Sequence, residues 1–97
     1  MSSAIDQPER RNSPRQEIRR DGFVKVQGMA RTPCVVLNIS ASGALLELLD
    51  AIELPQVFKL NIDADLFEAD CVVRHSDGRR YGVEFTSNRQ GAIALYG

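Results

Sequence analysis

The chain has no tryptophan, one histidine, two cysteines, two methionines and four prolines among its 97 residues. A structural zinc site draws on a cluster of Cys and His side chains. Cys34 and Cys71 stand far apart with no CxxC spacing, so no metal site is expected. Two free thiols packed as small hydrophobes in a reducing compartment are expected instead. Nucleophilic catalysis needs a base beside its nucleophile. His75 is the sole imidazole, and neither cysteine has a sequence neighbour that would lower its pKa. The reading is of a protein that is not an enzyme and carries no resident cofactor. Long hydrophobic runs are also missing. The densest, "ALLELL" at 44–49, falls far short of the ~20 residues a membrane helix needs. The start, "MSSAIDQPERRNS", lacks the apolar centre of a secretory signal. A cytoplasmic protein without membrane insertion is the expectation.

What is present begins with charge. The net charge is −1, which gives no global pull on nucleic acid. Ten of the twelve cations are arginine, and five of those fall between residues 10 and 20. From Glu47 to Asp70 the charge is acidic, with Lys59 the single cation. A local arginine patch on a near-neutral chain suits a compact anion better than a long polyanion.

The length fits one domain with a modest core. Residues 1–9 are polar and aperiodic and read as a flexible N-terminal arm. Residues 10–20, "RRNSPRQEIRR", read as an arginine arm, with Pro14 holding Ser13 extended. From residue 22 to 86 the pattern is that of short strands: "FVKVQG", "PCVVLNI", "ALLELL", "VFKLNI", "LFEADCVVRHS" and "RYGVEF". Alternation puts Phe58, Leu60 and Ile62 on one face. The same rule groups Phe67, Ala69, Cys71, Val73 and His75, and then Tyr81, Val83 and Phe85. Leu66, Glu68, Asp70, Val72 and Arg74 fall on the opposite, mostly polar face of the fifth strand. Asp77-Gly78 makes a hairpin turn. "SASG" at 40–43 makes another, with Gly43 free to take a positive φ. Six short strands with tight turns predict an all-β antiparallel barrel or sandwich. The tail, residues 87–97, predicts a short helix capped at Ser87 or Asn88 and weakened by Gly91.

Two loops carry chemistry. The first is Arg11-x-x-x-Arg15, preceded by Arg10; the second is "NISASG", or Asn38-x-Ser40-x-x-Gly43. Arginine offers a planar fork for phosphate or for a guanine edge, and it stacks on a base. Asn38 both donates and accepts, and Ser40 adds a hydroxyl. Gly43 lets a backbone turn approach a ligand closely. The set suits a small phosphorylated purine. Arg74, before the last hairpin, is a weaker candidate for the same site. Arg19 and Arg20 read as solvated charges that could help to steer an anion, and His75 as structural.

The order and spacing of these residues resemble the PilZ domain family, whose paired signature is RxxxR followed by (D/N)xSxxG. "RNSPR" and "NISASG" supply both halves, and "CVVRHSDGRRYGVEF" is similar to the family's late hairpin. The resemblance runs from Glu9 to about Phe85, and the tail is shorter than in many relatives. It implies a six-stranded antiparallel barrel over 10–97 that binds cyclic di-GMP at the barrel mouth. Arg11 and Arg15 would grip phosphate and guanine, with Arg10 assisting. Asn38 and Ser40 would bond a guanine edge, and Gly43 would shape the turn. Arg10 precedes RxxxR, where the family resemblance points to a selector between one ligand and a stacked pair. The expected function is that of a cyclic di-GMP receptor and adaptor whose arm orders on binding and signals to a protein effector. The alternatives are a PilZ-like interaction scaffold that binds no nucleotide, and a small nucleic-acid-binding barrel. The last would want exposed aromatics and a basic groove, whereas Phe58, Phe67, Tyr81 and Phe85 occupy core-facing strand positions.

Overall fold

The computed structural model describes residues 16–97, with side chains from Arg19 onward. Its elements are β1 (Gln16–Lys25), β2 (Thr32–Ile39), β3 (Gly43–Leu48), β4 (Val57–Ile62), a 3-10 turn (Asp63–Asp65), β5 (Phe67–Asp77), β6 (Arg80–Phe85) and α1 (Arg89–Tyr96). The strands close into a barrel in the order β1-β2-β3-β6-β5-β4. Every neighbouring pair is antiparallel, and β4 closes on β1 through Phe23↔Asn61, Val24↔Leu60 and Lys25↔Lys59. Closure removes the unpaired edge that a short-stranded sheet would otherwise expose.

The interior follows the alternation in the sequence. Val24, Val36, Leu46, Leu48, Phe58, Leu60, Phe67, Val83 and Phe85 are all buried. Cys34 and Cys71 are free and buried among them. Burial pushes both thiols up to about 12, with the charges of Asp21 and Asp70 adding to the effect. A thiol raised on folding contributes stability below its unfolded pKa and loses it as pH climbs toward the folded value. Stability is therefore expected to fall between about pH 9 and pH 12. Neither thiol should react with a disulfide reagent in the native protein at pH 8. Reaction of either at the rate of the denatured chain would contradict their burial.

Three departures from simple alternation decide where side chains point. The register shifts between Glu17 and Arg20 on β1, between Val36 and Asn38 on β2, and between Val73 and His75 on β5. A bulge adds one residue and turns those beyond it to the other face. On β2 it returns Ile39 to the core and leaves Asn38 half-buried opposite Leu45. On β5 it removes His75 from the inward row that alternation assigns it, and His75 is exposed on the outer wall opposite Gly82.

Leu66 is not part of β5. It ends the 3-10 turn in the left-handed region at φ 55° and is 94% exposed, because its N–H returns to the carbonyl of Asp63. The arginine arm is likewise shorter than expected. Residues 16–20 belong to β1, since the end of β2 takes its ladder partners there, Gln16↔Ile39 and Glu17↔Asn38.

Alternating strand directions bring the start of β1, the end of β2, the start of β3 and the end of β6 to one end of the barrel. The helix predicted for the tail forms there. Its Ala92 and Tyr96 are buried, and Tyr96 packs edge-on against Phe67 at 5.4 Å between ring centroids. Asn88 precedes α1 at φ 54° but caps no N–H. Its amide donates instead to the carbonyl of Glu68 at 2.8 Å, and the Ser87 hydroxyl accepts from the N–H of Asp70 at 2.8 Å. Gly91 leaves room for the Asn88 side chain, which a Cβ there would displace from its bond to Glu68. A short helix is thus tied to β5 by its own capping residues.

Candidate ligand-binding site

The second motif is a tight loop between β2 and β3. Ser40 N–H donates to the carbonyl of Gly43 at 2.8 Å, and Phe85 N–H donates to the carbonyl of Ser42 at 2.9 Å. The Ser40 side chain is 1% exposed. Its hydroxyl lies 3.2 Å from that of Ser42 and accepts from Ser42 N–H at 3.2 Å. Ser40 therefore shapes the loop from within, and Ser42 is the hydroxyl on the accessible side. Gly43 does not use a positive φ; the described glycines that do are Gly28 and Gly78. What Gly43 supplies is room, since a Cβ would fall on the carbonyl oxygen of Val83 across the β3–β6 ladder.

From this loop a row of outward positions runs around the barrel wall: Asn38↔Leu45, Leu45↔Gly82 and Gly82↔His75. With strands ~4.8 Å apart, the row covers roughly 14 Å from Asn38 to His75. Gly82 has no side chain, and the imidazole of His75 lies over it where a Cβ would be. A groove of about 250 Å³ follows, lined by Ser42, Gly43, Arg74, His75, Gly82 and Glu84, with Val83 behind. Arg74 occupies the bulge and donates from Nε to Oε1 of Glu84 at 2.7 Å. The groove thus brings Arg74 beside Ser42 and Gly43, 31 positions apart in sequence for the nearer pair.

At this end α1 buries Ala92 and Tyr96, and Asp65 ties Tyr96 to Arg20. One Asp65 oxygen accepts from Arg20 at 3.0 Å, and the other accepts from the Tyr96 hydroxyl at 2.7 Å. Burial, followed by the hydrogen bond to Asp65, raises the Tyr96 phenol. Arg20 is thus paired within the fold rather than simply solvated. Among the described residues the groove next to the second motif lies on the outer wall, and the interior is filled with side chains.

Arg10, Arg11 and Arg15 lie outside the described residues. The register nevertheless fixes where β1 begins. Gln16 is opposite Ile39, between Asn38 and Ser40. β1 therefore enters the ladder opposite the second motif.

A family model for the PilZ domain matches residues 9–95. The chain belongs to the PilZ domain family. Its members are in general cyclic di-GMP receptors and adaptor domains. The PilZ barrel of this chain is also similar to the crystal structure of an uncharacterised Legionella protein. That match has a TM-score of 0.57 and 18% identity, and covers 84% of this chain and 85% of the other. At that identity the likeness speaks for the fold alone. No curated protein shows a significant match. Among the described residues, no group of three His, Cys, Asp or Glu side chains could hold a metal ion, and no helix is long and apolar enough to cross a membrane.

Sequence reasoning gave no ligand role to three residues that line this groove. Ser42 and Glu84 carry no pattern of their own, and His75 falls on the inward row by alternation. Only the bulge at Arg74 turns it to the groove, and bulges leave no periodic trace in a single sequence.

Proposed function

We propose that this PilZ domain is a cyclic di-GMP receptor and adaptor. Its first-motif arginines would close on the outer-wall groove when ligand binds and present a new surface to a protein effector. The observation that carries this reading is the β1–β2 register: Gln16, the residue that follows the first motif in sequence, is opposite Ile39 of the second. Four further features support it. Guanidinium groups clustered at Arg10, Arg11 and Arg15 repel one another without an anion, so a ligand with two phosphates stabilises their convergence. Asn38 is turned to the outer wall by a bulge. Ser42 and Gly43 border open space. Arg74, the weaker candidate, lines the same groove. In this reading Ser40 acts by holding the loop, and the residues facing ligand are Arg10, Arg11, Arg15, Asn38, Ser42 and Arg74.

Calorimetric titration tests the proposal. Cyclic di-GMP is expected to bind with a Kd on the order of micromolar or tighter, about −8 kcal/mol, and GMP far more weakly. Arg10 offers a long cation able to stack on an exposed guanine face and to offset a second ligand's phosphates. Two ligands per chain are therefore expected as a stacked pair. An endpoint near one, unchanged in Arg10→Leu, would refute the pair and leave the receptor intact. Absence of heat at ~100 μM ligand, far above the Kd expected from, would make the domain an interaction scaffold instead.

A further inference from the structure

The groove contains a charged pair that any anionic ligand must meet. Arg74 reaches Oε1 of Glu84 with both Nε, at 2.7 Å, and Nη2, at 2.5 Å. Glu84 is the ladder partner of Gly43, the last position of the second motif. The two side chains are 60% and 37% exposed, so water and salt screen the pair and hold it weakly. Arg74 is also the extra residue of the β5 bulge, with no ladder partner across on β6. Its side chain is largely exposed and can change rotamer without disturbing the core. A carboxylate and a phosphate both accept the guanidinium fork.

We propose that Glu84 is an intramolecular stand-in for a ligand phosphate. In the free protein it holds Arg74. On binding, Arg74 exchanges the carboxylate for a phosphate of the dinucleotide, and the released Glu84 carboxylate, already part-exposed, turns to water. Glu84 thereby sets the affinity lower than the arginines alone would give. It also makes binding less sensitive to salt, because salt weakens the competing pair along with the ligand contacts. The inference rests on the cyclic di-GMP reading above.

The test uses the full chain and its Glu84→Gln, Arg74→Ala and doubly substituted forms, titrated with cyclic di-GMP at low and high salt. Glu84→Gln is expected to bind about five- to tenfold more tightly at low salt and to lose more of its affinity as salt rises. In the Arg74→Ala background the Glu84→Gln gain is expected to vanish. Unchanged or weaker binding by Glu84→Gln overturns the proposal, and so does a gain that persists without Arg74. A second readout needs no ligand. The Arg74 Nε–H resonance should move in Glu84→Gln relative to the free parent, and move again when ligand is added to the parent. A resonance that is the same in the free parent and in Glu84→Gln overturns the proposal. A parent that takes up no cyclic di-GMP removes the receptor reading, and the resonance still reports separately whether Glu84 holds Arg74.

Discussion

Arg11→Ala and Arg15→Ala are each expected to weaken cyclic di-GMP binding by about 2–4 kcal/mol, a loss of roughly 30- to 1000-fold. On the receptor reading each removes charge-assisted contacts to phosphate or guanine, and Arg74 does not replace them because on binding it is occupied with a phosphate of its own. The core of the described residues is built from Val24 to Tyr96, so circular dichroism and thermal melts of both variants are expected to match the parent. Arg19→Ala serves as the control and should change affinity little. Arg20→Ala should act differently again: it breaks the contact to Asp65 that helps to hold Tyr96, and so lowers the melting temperature rather than the affinity. Parent-like affinity in both Arg11→Ala and Arg15→Ala would show that the first motif does not hold the ligand.

Gly43→Ala is expected to destabilise the fold by about 1–3 kcal/mol or more, as overpacking of a well-packed site does. The added methyl group would meet a backbone carbonyl, that of Val83, rather than the end of a flexible side chain. Relief requires β3 and β6 to part where Gly43 pairs with Glu84 and where Phe85 N–H bonds the Ser42 carbonyl. For a domain of this size each kcal/mol lowers the melting temperature by roughly 4–8 °C. Gly78→Ala provides the comparison. It sits at φ 65° with open space around its Cβ position, so its cost is conformational and about 1 kcal/mol. Equal melting of Gly43→Ala and the parent would show that the β3–β6 approach is not rigid. Because the same change spreads the loop, ligand binding should fall along with stability.

The sequence by itself determined the strand inventory, the core and the two motifs. A buried barrel wall demands alternation, and alternation is local. Phe58-x-Leu60-x-Ile62 and Tyr81-x-Val83-x-Phe85 read correctly because nothing interrupts their period. The tail helix was legible from its capping residues, although those residues turned out to anchor β5 rather than cap N–H groups. Tertiary structure alone decided the geometry of the site. One extra residue near Asn38 and another at Arg74 turn side chains to the outer wall, and pairing across β2, β3, β6 and β5 then sets Asn38, Leu45, Gly82 and His75 in one row. Ser40 is buried and Gly43 is crowded because of strands that lie dozens of residues away in the chain. Even the end of the arginine arm is fixed by a partner: residues 16 and 17 are strand because the end of β2 would otherwise leave its N–H and C=O groups unpaired on that side. Hydrophobic period is written residue by residue, whereas register is a property of two strands at once, and it is register that lines up Asn38, Leu45, Gly82 and His75 on the outer wall.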